Sequence, residues 1–175
     1  MRPIVVFVVI ASAIGLRAQV VSRPLTAEAQ IAAAEEAGAS FPRAGGAADT
    51  PPRTCTMVRP DQIVFPSTRG NPADFRLVSG EFFAGSISFG WGDTYEQAKM
   101  PLTPRYPDAI GKGLAMTVVR IDPPGEAPRL AASAFPSPDS WFFPTWPRFA
   151  TPGRWMIVAT AGVNWGCFVL DRPVR

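Results

Sequence analysis

The chain has 175 residues, with 17 Lys and Arg against 14 Asp and Glu, a formal net charge of +3, no histidine, 2 cysteines and 20 prolines. The missing imidazole excludes Ser-His-Asp and Cys-His catalysis, HExxH zinc sites and any histidine-held metal. Two thiols do not build a four-thiolate zinc site or an iron–sulfur ligand set, and the length fits one domain with tails.

Met1-Arg2-Pro3 is a short positive start, and residues 4–16 that follow carry no charge. As a helix this run spans about 20 Å, short of the roughly 30 Å of bilayer hydrocarbon. Residues 1–18 therefore read as a signal peptide cut after Ala18, with an uncleaved anchor as the competing reading. The expected location is secreted or periplasmic, in the cell envelope, with no stable membrane span after cleavage. Arg2 and Arg17 leave with the peptide, so 15 basic residues then face 14 acidic ones and the charge falls to +1. The remaining arginines, such as Arg43, Arg59, Arg76 and Arg105, stand singly. A nucleic-acid partner needs a clustered basic face, so none is expected.

Residues 19–53 read as a flexible or partly helical tether. Residues 25–38 are rich in Ala and Glu, which favour helix, and Gly38 suits a left-handed C-terminal cap. The apolar face is thin and an isolated helix of this length is marginal. Residues 41–52 hold Pro and Gly in the manner of a spacer.

Residues 54–175 read as one β domain. Strands are expected at 54–58, 62–65, 75–78, 85–91, 114–121, 129–135, 141–143, 155–161 and 165–170. Ile87, Phe89 and Trp91 fall on one face of a half-buried strand. Residues 114–121 are apolar on both faces, as in a central strand. Short strands, frequent turns and few helices point to an all-β sandwich or barrel; the sandwich, with about 7–9 short antiparallel strands, is the reading adopted. The last two strands make a hairpin through 161–164, where Gly162 and Asn164 tolerate positive φ. On its returning strand Trp165, Cys167 and Val169 share one face, and Phe168 and Leu170 the other. Trp155 opens the preceding strand and is expected in the core.

An exported chain with two cysteines is expected to join Cys55 to Cys167. The bridge closes a loop of about 112 residues, for which chain entropy gives roughly 4–5 kcal/mol. The alternative is a reactive thiol, against which stands the absence of His, CxxC and a nearby Lys.

One stretch carries a resemblance. It runs through Leu114-Ala-Met, Arg120-Ile-Asp122 and Ala127-Pro-Arg-Leu130 to Phe149-Ala-Thr-Pro-Gly-Arg-Trp155 and Cys167-Phe-Val-Leu170. This resembles secreted bacterial immunoglobulin-like β-sandwich proteins of uncharacterised function. Their signature Phe-Pro-x-x-Gly-Cys-Trp leads into the penultimate strand; here Ala150 stands for the Pro and Arg154 for the Cys. The resemblance implies an immunoglobulin-like fold and an envelope location, and no activity.

Two segments are candidates for function. The 93–113 connection holds Tyr95, Tyr106 and both lysines. Asp93, Glu96 and Asp108 in it would make a carboxylate-dependent hydrolase if they converged. The plainer reading is a capping box, Asp93 with Glu96, starting a short helix over 94–99 in which Glu96 pairs with Lys99. The second segment places Trp141, Phe142, Phe143, Trp146 and Arg148 among Pro144 and Pro147, which put it at a sheet edge or in a loop. Such rings either grip an envelope protein, a peptide or a glycan, or plug the end of the sandwich. Met57, Met100, Met116 and Met156 are read as core filler. No catalytic, cofactor-binding or metal-ligating residue is expected. The sequence therefore suggests a non-enzymatic binding or envelope-interaction module, with a hydrolase or a purely structural accessory subunit as alternatives.

Overall fold

A computed structural model describes residues 25–44, 50–64, 77–85, 87–90, 96–106, 112–124, 129–134 and 142–172. The expected signal peptide, Trp91, Asp93, Tyr95, Asp108 and Trp141 lie outside these residues. The described part is mostly strand, with one α-helix, α1 (Ala27–Ser40), and one 3-10 turn at Pro60–Gln62.

The long strands lie in the C-terminal half: β8 (Leu114–Asp122), β9 (Arg129–Ala134), β10 (Gly153–Ala161) and β11 (Asn164–Arg172). With β1 (Thr56–Met57) they form a five-stranded sheet in the order β1-β11-β10-β8-β9. The β10–β11 hairpin is continuous from Gly153 opposite Arg172 to Ala161 opposite Asn164. Its loop is Gly162-Val163, and Gly162 carries the positive φ of 58° that a tight two-residue turn requires. Asn164 needs no such conformation; it is the first residue of β11.

The second layer is built from shorter pieces. β3 (Leu77–Ser79), β4 (Phe82–Ala84) and β7 (Leu102–Pro104) form one antiparallel group. β2 (Ile63–Val64), β5 (Ile87–Phe89) and β6 (Ala98–Lys99) form another. A bond from the Gly85 N–H to the Pro101 carbonyl, 3.0 Å, spans the gap between the two groups.

One core lies between the layers. Phe82, Ile87, Phe89, Met100, Leu102, Phe143 and Phe149 meet Leu114, Met116, Val118, Trp155, Ile157, Phe168 and Leu170 there. Trp155 is 1% exposed, as its position predicts. Its ring and that of Phe149 meet nearly at right angles, 5.6 Å between centroids and 84° between planes. Its indole N–H donates to the Thr151 carbonyl, which satisfies the polar atom of the ring.

The opposite face of the long sheet is apolar too. Met156 and Val158 of β10, and Trp165, Cys167 and Val169 of β11, turn away from the first core, as the alternation of these strands dictates. Helix α1 covers them with Ala27, Ile31 and Ala34. Thr26 starts the helix, its hydroxyl accepting the Ala29 N–H at 3.2 Å. The segment expected as a tether is thus, from residue 25 to 44, a helix and turn laid on the sheet. What its thin apolar face lacks in area it makes up in fit: a Cβ on Gly38 would lie 2.6 Å from Trp165 Cε2. Gly38 therefore serves close approach within the helix, not the left-handed cap read from the sequence.

Three further expectations change. The strands are not all antiparallel, since β1 pairs with β11, and β2 with β5, in parallel. No helix forms over the described part of 94–99; Glu96 lies in a turn and Ala98–Lys99 is strand. Ala98, Met100 and Leu102 are buried while Gln97, Lys99 and Thr103 are less so, a period of two that overrides the helix propensity of the segment. Residues 142–143 form no strand beyond a bridge from Phe143 to Leu102.

Candidate functional site

Residues 143–149 run against β6 and β7 as an extended lip. Leu102 and Phe143 exchange both backbone bonds, at 3.0 and 2.7 Å. The Met100 N–H donates to the Thr145 carbonyl, the Ala98 N–H to Pro147, and the Phe149 N–H to Glu96. Proline supplies only an acceptor, so Pro147 fits where its carbonyl is used. The Thr145 hydroxyl donates to the Met100 carbonyl.

This register decides which rings face out. Phe143 and Phe149 are 0% exposed and belong to the core. Phe143 is therefore not part of a ligand surface, because the odd-numbered positions of the lip face inward. The even positions turn the other way: Phe142 is half-buried, and Trp146 and Arg148 are exposed. Trp146 keeps 46% of its surface in solvent. Gln97 Nε2 donates to its carbonyl at 3.4 Å. Arg148 Nη2 lies 3.3 Å from Glu96 Oε2 in an ion pair with side chains 60% and 36% exposed. Such pairs contribute about 0–1 kcal/mol.

Tyr106 is at the other end of β7. Its backbone N–H donates to Asn164 Oδ1 at 2.9 Å, and Asn164 Nδ2 donates to the Tyr106 and Ala161 carbonyls at 3.0 Å. The structure thus turns Trp146 and Arg148 to the same outer side of the lip, with Phe142 half-buried just before it, and leaves Tyr106 elsewhere. Of the three carboxylates considered for hydrolysis, Glu96 is described, and it pairs with Arg148. An open cavity of about 310 Å³ lies by the hairpin end, lined by Lys112, Gly113, Leu114, Ala115, Thr160, Ala161 and Gly162. Among the described residues that lining brings no carboxylate. Among the described residues no group of three or more Cys, Asp or Glu is placed to hold a metal ion.

Cys55 and Cys167 are joined, their Cα atoms 4.5 Å apart, one residue from the β1–β11 pairing of Thr56 with Phe168. Beside them is a centre that the sequence does not announce. Arg53 and Glu81 form an ion pair with both side chains 1% exposed. Arg53 Nε lies 3.1 Å from each Glu81 oxygen. Nη1 donates to the Gly38 and Phe41 carbonyls, and Nη2 to those of Pro42 and Val163. Every N–H of the guanidinium is thereby used. Glu81 Oε2 in turn accepts the Trp165 N–H. A buried, fully satisfied pair of this kind is a structural clasp, not a site open to substrate. A charge placed between Pro52 and Cys55, and an acid following Gly80 in a turn, were the available signals.

Comparison with known proteins adds no relative: no family model matches the chain, and neither the curated proteins nor the solved structures contain a match. No helix among the described residues is long and apolar enough to cross a membrane.

Proposed function

We propose that the chain is an exported, non-enzymatic β-sandwich module of immunoglobulin-like type that binds a peptide, a glycan or another envelope protein through the lip around Trp146 and Arg148. One observation carries this reading. In a lip whose Phe143 and Phe149 are wholly buried, Trp146 is left 46% exposed beside a charged, exposed Arg148. Exposed indoles next to arginines are the residue types that dominate binding surfaces. The disulfide is compatible with an oxidising, exported setting.

The test is calorimetric titration of the purified protein with cell-wall oligosaccharides and with extended peptides. Binding should weaken at least about tenfold in Trp146→Ala and Arg148→Ala, and stay unchanged in Val78→Ala, an exposed apolar residue elsewhere. Affinity equal in all three variants would exclude the lip as the binding surface.

A further inference from the structure

The Cys55–Cys167 bond lies under α1. Cys167 is 0% exposed, and Cys55 is half-buried in the same apolar cluster as Ala27, Ile31, Ala34 and Phe41. The helix also reaches the cysteine backbone, because Glu35 Oε1 accepts the Cys55 N–H at 2.8 Å. Thiol–disulfide exchange needs a thiolate to approach one sulfur from outside the bond, so access controls its rate.

The cover itself is lightly held. Its contact stripe is Ala27, Ile31, Ala34 and Gly38, two alanines, a glycine and a single larger side chain. At its C-terminal end the hold is stronger, through the Arg53 bonds to Gly38, Phe41 and Pro42. The sandwich below rests instead on large rings and on the nine-residue strands β8, β10 and β11. Elements with few buried apolar contacts open before the global core does.

We propose that α1 is a hinged strap that gates reduction of the Cys55–Cys167 disulfide: a dithiol reaches the bond from a state in which the strap has lifted and the sandwich is still folded. In that state a thiolate of the dithiol attacks one cysteine sulfur and forms a mixed disulfide, and the other cysteine leaves as a thiolate. The second thiol of the reductant then displaces the first cysteine. The dithiol ends as its cyclic disulfide, and Cys55 and Cys167 end as two thiols, two electrons and two protons having been transferred. This gate does not depend on the ligand surface proposed above.

The experiment follows thiol release from the purified chain in excess dithiothreitol without denaturant, in the wild type, Ile31→Ala and Val118→Ala. Ile31 touches the strap interface, and Val118 lies in the other core. Reduction should accelerate about tenfold in Ile31→Ala and stay near the wild-type rate in Val118→Ala. The wild-type rate should also depend only weakly on low urea, because lifting one helix exposes little surface. Equal acceleration in both variants would mean that reduction requires global unfolding. No acceleration in Ile31→Ala would mean that the bond is reachable with the strap in place. Either result overturns the proposal.

Discussion

At the scale of single residues, Arg53 is the side chain whose loss should be felt most. Its five N–H groups tie α1, the segment after it, the β3–β4 turn and the β10–β11 turn to one point. Arg53→Met leaves the Glu81 carboxylate buried without its partner, which costs about 3–5 kcal/mol for a pair of this kind. Urea unfolding should show that loss, and adding Glu81→Leu should recover only part of it: the unpaired buried charge is removed, but the Trp165 N–H and the carbonyls of Gly38, Phe41, Pro42 and Val163 stay without their partners. Arg53→Lys should not rescue, because an ammonium cannot span acceptors arranged around a planar fork. A surface pair gives the contrast. The side-chain hydrogen bond from Arg59 holds the Asp61 carboxyl below its ordinary value of 3.8, and the Arg59 charge adds to this. A depressed carboxyl favours the folded state above its unfolded value, and that contribution fades as pH falls through the folded value. Asp61 is exposed, with 61% of its side chain in solvent, so the effect belongs to its titration rather than to measurable stability. A carboxyl-carbon NMR titration should give a midpoint below 3.8 in the wild type and near it in Arg59→Gln.

At the scale of elements, two tight turns meet back to back. Gly80-Glu81 joins β3 to β4, Gly162-Val163 joins β10 to β11, and the Glu81 N–H donates to the Trp165 carbonyl at 2.9 Å. Gly80 has φ of 51°, and a Cβ there would lie 2.3 Å from the Trp165 carbonyl oxygen. Gly80→Ala therefore meets both strain and a backbone clash, and should cost at least about 1–3 kcal/mol in urea unfolding. Elements were legible in the sequence where one signal ruled. The C-terminal hairpin has apolar residues on both faces and a glycine in its bend, and the structure keeps its faces as read. β6 and β7 were not legible, because Pro101 and Pro104 look like breakers although both sit in or beside strand. The outward turn of Trp146 and the inward turn of Phe143 were hidden as well. They follow from the pairing of Phe143 with Leu102, a register that no local pattern encodes.

At the scale of the molecule, a helix, a long sheet and a patchwork second layer enclose two apolar clusters, one on each face of the long sheet. The disulfide was readable from cysteine count and the expectation of export; the Arg53 clasp was not, since its acceptors come from three separate stretches of chain, 38–42, Glu81 and Val163. The same separation governs the order of events in synthesis. β11 is late in the chain, yet it lies inside the long sheet, flanked by β1 on one side and β10 on the other. A ribosome delivers residue 56 long before residue 168, its opposite number. Until that strand emerges, Cys55 has no sulfur to meet, Arg53 has no Val163 carbonyl, and Phe82 faces no Gly166. Closure of the long sheet around its first strand consequently has to await the synthesis of β11.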